Sequence, residues 1–513
     1  MNNIEPEQKP QFVVNANKVT RNTILLYFRQ ILILLVSLYS VRIVLSNLGA
    51  IDYGIYNVVA GVVTMFGFLS GAMATASQRY FSFELGRQNI EQLKKTFNIS
   101  FIIYVCITVI LLCLAETIGV WFVYTKLNIP IDRLPTARWV YQFSIISFVF
   151  TIMATPYMAL IIAHEDMNIY AYLSIAEASL KLLIAFVLPL LGNDKLFYYG
   201  LMLAFSVAMV TTLYRYTARR KYKECKESWY WDWPLFKEIL SYTGWNTFGA
   251  LVGVFKNQGI NIILNQYFNP IIVASRGIAY QVNSAVSSFS QNFSTAVRPQ
   301  IIKSYAVHDI TAMRKVVFQS CKTTFILMYL LTLPLVLEMQ FVLRLWLKNP
   351  PDYAVIFTQL ALLDALVESI SFPIMTVAQA TGKIKLYQSV VGGVLLLNLP
   401  ISLIFIAFGY PAESVFIIAI ILSAVAFIVR LLIIRQLVDF SIISFFRQVI
   451  MPLIITAFIS LLVPLYVHNS LQEGFVRFVI TGFLSVVSII LFTYTFALSK
   501  EERSVIAKIL RRR

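Results

Sequence analysis

Residues 238–298 read EILSYTGWNTFGALVGVFKNQGINIILN (238–265), QYFNP (266–270) and IIVASRGIAYQVNSAVSSFSQNFSTAVR (271–298). This stretch predicts two helices that are each longer than the roughly 20 residues needed to cross a bilayer. Both helices carry charged or amide side chains, which are costly at bilayer depth and are expected to face protein or a water-filled cavity. Two adjacent polar spans predict the wall of a translocation pathway, with the candidate residues Lys256, Asn257, Gln258, Asn261, Arg276, Gln281, Asn283, Gln291 and Asn292.

Apolar segments of membrane-spanning length fill the rest of the chain. Of its 513 residues, 58% are hydrophobic and only 13% are charged, whereas soluble proteins carry about 25% charged residues. The fold class is therefore an all-α integral membrane protein with about 14 transmembrane helices. The predicted spans are 23–46, 55–77, 99–124, 139–163, 172–191, 198–217, 238–264, 270–297, 323–346, 354–380, 389–409, 413–434, 449–467 and 475–498.

The net charge of +17 follows membrane topology rather than a nucleic-acid footprint. Of the 42 Lys and Arg residues, 30 lie on the side of the two termini and 7 on the opposite side. Basic residues concentrate in cytoplasmic loops, so both termini are predicted to be cytoplasmic. Nucleic acid is excluded as a partner, and the short loops of the opposite side leave no room for a catalytic domain.

An internal repeat divides the chain. The sequence ATASQRYFSFELGRQNIEQLKKTFNIS from Ala74 is similar to FSTAVRPQIIKSYAVHDITAMRKVVFQS from Phe293. TPYMALIIAHEDMNIYAY from Thr155 matches FPIMTVAQATGKIKLYQS from Phe372 at an offset of 217. Such repeats are typical of transporters and predict two six-helix lobes related by pseudo-twofold symmetry, plus two C-terminal helices. The predicted division is an N-terminal tail (1–22), an N-lobe (23–217), a basic Trp-rich linker (218–237), a C-lobe (238–434), spans 13–14 (435–498) and a basic tail (499–513).

One long stretch carries a resemblance to a known family. Residues 45–86 read LSNLGAIDYGIYNVVAGVVTMFGFLSGAMATASQRYFSFELG. An LG-x-x-x-[FY]-G motif, a span of small residues and an Arg-bearing end to that span resemble the polysaccharide-flippase branch of the multidrug/oligosaccharidyl-lipid/polysaccharide exporter (MOP) superfamily. The organisation into two six-helix lobes and two extra helices also resembles that branch.

The resemblance implies a transporter in the bacterial cytoplasmic (inner) membrane. Its expected substrate is a lipid-linked oligosaccharide on polyprenyl diphosphate, flipped to the outer leaflet by alternating access for surface polysaccharide biosynthesis. A polysaccharide polymerase or glycosyltransferase is the implied partner. An ion-coupled multidrug antiporter of the same superfamily is the alternative, but span 1 lacks the acidic residue expected of some antiporters. It carries Arg29 and Arg42 instead, which favours an anionic cargo.

A diphosphate-linked glycan needs cations for its phosphates and amides for its sugar hydroxyls. Arg29, Lys256 and Arg276 are therefore the candidate phosphate contacts, and the amides named above are the candidate pathway lining. Interfacial placement of Arg29 or Arg276 stays open, because long basic side chains reach back to the interface. The amides could equally join helices to one another.

Two carboxylates complete the candidate site. Asp364 and Glu368 lie four residues apart in span 10, so both lie on one helix face. They are candidates for coupling transport to a proton or to Na⁺, although neutralising Arg29 or Lys256 is the other open role. No nucleotide-binding or hydrolase motif occurs, which predicts a protein that is not an enzyme and uses no cofactor and no metal.

Overall fold

A computed structural model describes residues 16–64, 66–125, 129–192, 194–225, 230–268, 270–499 and 502–503. Most of the predicted N-terminal tail (1–22), most of the basic C-terminal tail (499–513) and Trp229 of the predicted linker lie outside these residues. Throughout the described ranges every regular element is a helix, which confirms the predicted all-α class.

The chain divides into two compact units, one within residues 15–250 and one within 251–513. The first unit contains α1 (Ala16–Thr64), α2 (Gly67–Gly86), α3 (Ile90–Leu114), α4 (Val120–Thr125), α5 (Leu134–Ala163), α6 (Met167–Val187) and α7 (Lys195–Lys221). The boundary falls inside α8 (Trp233–Tyr267). The second unit continues with α9 (Pro270–Ala306), α10 (Ile310–Leu347), α11 (Ala354–Thr381), α12 (Ile384–Leu396), α13 (Asn398–Ala407), α14 (Ser414–Leu437), α15 (Ile442–Phe445), α16 (Met451–Ser470) and α17 (Phe475–Phe492). The sequence-based division into lobes and linker stays a prediction.

The helices have the length and apolarity of a multi-pass membrane protein. Among the described residues 11 helical segments qualify as membrane spans, and one bent pair of helices brings the number to 12. The two polar helices α8 and α9 contain 35 and 37 residues, which is more than enough to cross a bilayer. These two helices are not among the 11 apolar spans, because their amide and charged side chains make them more polar. All the predicted spans fall on helical segments of the structure, but span 55–77 covers the end of α1 and part of α2, and span 389–409 covers parts of α12 and α13.

The first two predicted spans are joined differently from the sequence expectation. Residues between 46 and 55 were predicted to form a loop, but the residues on both sides of Gly49 are helical, and α1 consists of two helices joined by a kink there. The break is confined to Gly49, whose φ of 74° is accessible to glycine at little cost. A second bend of 46° separates the segment Ile51–Val63 from α2. Predicted span 2 is therefore a bent pair of helices.

The internal repeat is visible in the turns that precede equivalent helices. Gln88 and His308, separated by 220 residues, both adopt left-handed backbone conformations, with φ of 57° and 59°. Each is followed by a side chain that caps the next helix: Asn89 accepts from the first turn of α3, and Asp309 accepts from the first turn of α10. Such caps fix where a helix begins. The repeated sequence thus produces the same local structure twice.

A second turn repeats at the offset of 217. Glu165 after α5 and Gly382 after α11 again have positive φ, of 63° and 77°. The two helices that end there also pack alike, because α5 lies against α2 and α7 while α11 lies against α9 and α14. Each contains a proline, Pro156 or Pro373, at the same offset.

The end of α3 contains a close approach that only glycine permits. A π-helical turn, Ala115–Gly119, follows α3, and the buried Tyr141 of α5 donates its hydroxyl to the Ala115 carbonyl at 2.8 Å. A Cβ on Gly119 would lie 2.0 Å from that hydroxyl oxygen. We therefore expect Gly119→Ala to displace the Tyr141 ring and to destabilise the protein by about 1–3 kcal/mol, the cost of an unpaired buried polar group. Thermal melting of the purified protein checks this.

Gly71→Ala in α2 is the matched control, since a Cβ there meets nothing within 4 Å. Alanine favours a helix interior over glycine by up to about 1 kcal/mol, so this variant is expected to melt at or above the wild-type temperature. Equal melting temperatures for the two variants would contradict the assigned contact.

The last two helices attach to α10 through ion pairs. The fully buried carboxylate of Glu338 lies 2.9 Å from the His468 imidazole of α16 and 3.0 Å from the Arg477 guanidinium of α17. The helix is locally distorted at Glu338, with φ of −107° and ψ of 21°. A second, exposed pair joins Arg344 to Glu473 at 2.9 Å. The sequence predicts two appended helices, and these contacts show how they are held.

Candidate functional site

Arg276 on α9 is the centre of a polar cluster with α8. Its side chain is only 4% exposed. The guanidinium donates to the Asn261 side-chain oxygen and, at 3.5 Å, to that of Asn257. It also lies over the Tyr280 ring, 4.3 Å from the centroid. We call these four residues the Arg276 cluster. The structure thus brings together three residues that the sequence placed in the pathway.

The amides of α8 meet Arg276 because of their helical spacing. Positions 257 and 261 are one turn apart and share a face. Asn261 also donates its amide nitrogen to Gln258 at 3.4 Å, which orients its oxygen toward the guanidinium. Apolar residues of α8, α9, α11 and α14 pack around this region. The arginine is therefore anchored among protein side chains, and its depth in the membrane stays a prediction.

The groups that the structure shows in contact with the Arg276 guanidinium are neutral. Within the described ranges of the chain no carboxylate lies within 4.0 Å of its guanidinium nitrogens. Its Nε is buried and has no hydrogen-bond partner there. A buried charge is costly unless it is paired, and the Asn oxygens supply only neutral acceptors. The cluster is consequently suited to receive an anion.

Lys256 lies in a different electrostatic environment from Arg276. The charged groups close enough to act on Glu368 are Asp364, Lys256 and Arg430. One oxygen of Asp364 is buried without a hydrogen-bond partner among the described residues. Glu368 of α11 therefore lies within electrostatic range of Asp364 on its own helix and of one cation each from α8 and α14. The arrangement is compatible with both roles that the sequence left open, ion coupling and neutralisation of Lys256.

Arg430 was not among the sequence candidates. It is 7% exposed and donates to the Tyr387 hydroxyl at 3.1 Å and to the Ser371 hydroxyl at 2.8 Å. It was counted with the basic residues on the side of the termini, although position 430 lies inside the predicted span 413–434, and α14 extends beyond it to Leu437. The apolar residues on both sides, AFIVRLLII, are the signal that could have identified a membrane-buried arginine.

Arg29 lies in the first unit, between α1 and α6. It is 7% exposed, its guanidinium lies 4.6 Å from the Tyr170 ring centroid, and it donates to the Ser174 hydroxyl at 3.4 Å. An aromatic face and a hydroxyl are two of the groups that stabilise this cation. Arg29 is therefore buried against α6, and its role as a phosphate contact or at the interface stays a prediction.

The remaining candidate amides are less clearly grouped. Asn283 accepts from Ser287 at 2.9 Å within α9, and Asn292 is half-buried. Gln281 and Gln291 are exposed on α9. Asn246, an amide in the same stretch of sequence, is a helix contact, because it is buried and donates to the Ala72 carbonyl of α2 at 3.2 Å. Roles for these side chains in a pathway stay predictions.

No protein-family model matches the chain, and no curated protein sequence matches it. Several solved structures do. An outward-facing MATE multidrug resistance transporter of the MOP superfamily aligns with a TM-score of 0.72 at 13% identity, over 82% of this chain and 95% of that one. A mutant of the Vibrio cholerae MATE transporter VcmN aligns with a TM-score of 0.66 at 15% identity, over 82% and 96%.

A third match is a MOP superfamily transporter from Pyrococcus furiosus, for which a reversed polarity of the binding pocket suggests a different function. Its TM-score is 0.69 at 13% identity, over 82% of this chain and 95% of that one. At such identities the matches establish the fold, which is that of MATE transporters of the MOP superfamily. The superfamily fold implied by the sequence is therefore confirmed, while the flippase branch and the substrate stay predictions.

Proposed function

We propose that this chain is a transporter that flips a lipid-linked oligosaccharide on polyprenyl diphosphate to the outer leaflet of a bacterial inner membrane. The observation that supports this most directly is the Arg276 cluster, a buried cation held by neutral amides. Arginine binds phosphate oxygens in a planar, bidentate manner. An anionic headgroup would satisfy the charge and the unpartnered Nε together. A cationic substrate would meet repulsion at the same place.

The first unit supports the same preference. Arg29 occupies α1, and no Asp or Glu occurs in the predicted span 23–46. Tyrosine rings lie beside both Arg29 and Arg276, and aromatic faces also suit sugar rings. Transport would proceed by alternating access, the mechanism common among secondary transporters with repeated halves. Polymerase or glycosyltransferase partners and cytoplasmic termini belong to this proposal.

The second candidate function is an ion-coupled multidrug antiporter. Two observations favour it: the matched structures include a MATE multidrug resistance transporter, and α11 carries the carboxylates Asp364 and Glu368. The Pyrococcus furiosus match indicates that pocket polarity varies within this fold. Pocket charge is therefore the property that separates the two candidates.

Reconstitution separates them directly. Purified protein in liposomes is offered either a fluorescent polyprenyl diphosphate oligosaccharide or a fluorescent organic cation, and movement across the membrane is timed. We expect accelerated movement of the lipid-linked sugar and no movement of the cation above protein-free liposomes. Transport of the organic cation without transport of the lipid-linked sugar would contradict the flippase function and support the antiporter function.

The role of the carboxylate pair can be tested in the same liposomes. If Asp364 and Glu368 bind the coupling ion, the Asp364→Asn/Glu368→Gln variant is expected to transport at one rate with and without an imposed proton or Na⁺ gradient. Wild-type protein is expected to respond to one of these gradients. The physical reason is that neutral amides neither release a proton nor attract a cation as carboxylates do.

Adding Lys256→Gln to that double variant supplies the control. If the carboxylates only neutralise Lys256 and Arg430, removing the Lys256 charge reduces the excess positive charge of the double variant. Both its stability and its response to the gradient are then expected to recover. If they couple transport, stability recovers but the gradient response stays absent. A double variant that still responds to the gradient would exclude the coupling role.

A further inference from the structure

An open cleft with a volume of about 520 Å³ lies at the C-terminal end of α7. Its walls are side chains one and two helical turns apart, which places them on one face of the helix. All of them are exposed. Three of the five carry a guanidinium group, and the full set is Thr212, Arg215, Tyr216, Arg219 and Arg220.

Contacts within the first unit hold the cleft in shape. Arg220 donates to the Tyr216 hydroxyl at 3.0 Å, and its guanidinium lies 5.8 Å from that ring's centroid. Arg215 forms a side-chain hydrogen bond with the buried Tyr157 of α5. These bonds reduce the conformational freedom of two long side chains, so less entropy is lost when a ligand binds.

Two acidic groups at this end of the unit are committed to other partners. Asp166 lies 2.9 Å from Lys221 and accepts a 2.5 Å hydrogen bond from Tyr222. Burial favours the neutral acid, but the bonds from Lys221 and Tyr222 outweigh it and hold the pKa of Asp166 below its ordinary value. Glu224 is paired with His164 at 2.6 Å. The Asp166 carboxylate therefore stays ionised at neutral pH and holds the end of α7 against the α5–α6 turn.

An apolar strip continues from the cleft along α7. Leu201, Phe205 and Met209 follow one another at four-residue spacing and are 40%, 71% and 44% exposed. The same face then reaches Tyr216 and the arginines. From Phe205 to Arg219 the helix rises about 21 Å, which is comparable to one leaflet of a bilayer whose hydrocarbon core is about 30 Å thick. Exposed Trp231 and Trp233 in the following segment are typical of a membrane interface.

We propose that this face of α7 is a binding site for an anionic phospholipid, with the headgroup phosphate in the cleft and an acyl chain along the apolar strip. Guanidinium groups form charge-assisted, bidentate hydrogen bonds with phosphate oxygens. Basic clusters at the end of a transmembrane helix attract anionic lipids. The site lies on the outer surface of the first unit and does not involve the Arg276 cluster.

Native mass spectrometry of the purified protein with added phosphatidylglycerol or phosphatidylcholine tests the site. Wild-type protein is expected to retain phosphatidylglycerol preferentially. Arg219→Gln/Arg220→Gln keeps Arg215, which contacts Tyr157, and is expected to bind phosphatidylglycerol roughly 25-fold more weakly, about 5-fold for each charge removed near a membrane surface. Retention of phosphatidylcholine should not change.

Lys383→Gln/Arg435→Gln is the matched control. It removes the same charge from exposed positions on the membrane side predicted for the α7 arginines, and is expected to bind phosphatidylglycerol as wild type does. If both double variants lost phosphatidylglycerol binding equally, the effect would come from net charge alone, and the proposal would be overturned. So would unchanged binding by Arg219→Gln/Arg220→Gln, or complete displacement of the lipid by millimolar inorganic phosphate, which would indicate a soluble-anion site.

Discussion

Replacing Glu338 by alanine is expected to lower the melting temperature of the purified protein by several degrees. The change removes the carboxylate that contacts both the Arg477 guanidinium and the His468 imidazole. Arg477 is only 11% exposed and would be left as a poorly solvated cation. Breaking a buried ion pair from one side typically costs about 3–5 kcal/mol. The loss should appear first in the packing of α16 and α17 on α10.

The exposed pair at the same end of α10 supplies a control. Arg344→Ala removes a partner of Glu473, but Arg344 is 54% exposed, and such surface pairs contribute at most about 1 kcal/mol. Its melting temperature should therefore stay close to wild type. Glu338→Leu/Arg477→Leu removes both charges and is expected to recover part of the stability. If Glu338→Ala and Arg344→Ala melt at the same temperature, the buried carboxylate does not anchor the appended helices.

Element types were predictable from the sequence because membrane helices have one dominant signal. About 20 consecutive apolar residues specify a span without reference to the rest of the chain. The connections between helices are harder to predict. A kink at Gly49 alone separates two helices where the sequence predicted a longer loop, and the length of such a break depends on packing on both sides of it. The repeat was more informative, since Gln88 and His308 share a turn at the offset that the sequence indicates.

Three residues of the Arg276 cluster were predicted from the sequence as site candidates, but their contacts with one another were not. Polar residues at bilayer depth identified Arg276, Asn257 and Asn261, and helical spacing placed the two amides on one face. Pairing of Arg276 with those amides, and the placement of Lys256 near Glu368, depend on how α8, α9 and α11 pack. Arg430 was missed for a different reason: it lies four residues before the predicted end of span 413–434 and was counted with the basic loop that follows, whereas α14 continues to Leu437.

Arg276→Gln is expected to reduce transport of a lipid-linked oligosaccharide about 10- to 100-fold, since hydrogen bonds to a charged group contribute about 1.5–3 kcal/mol. Arg276→Lys keeps the charge but loses the planar pair of donors, so an intermediate rate is expected. Transport into proteoliposomes gives the rates, and the amount of protein recovered in the membrane reports on folding. A variant that transports at the wild-type rate would remove Arg276 from the site.

Asn261→Asp distinguishes an anion site from a structural contact. The substitution changes the oxygen that accepts from Arg276 into a carboxylate of nearly the same shape, so the guanidinium gains an internal ion pair. Stability is expected to stay equal or to rise, while transport of an anionic substrate falls, because the cargo now competes with a carboxylate for the same donors. A purely structural Arg276 predicts the opposite, an unchanged or faster rate. For the antiporter, the added negative charge would strengthen binding of an organic cation, and the same variant would then show increased cation transport.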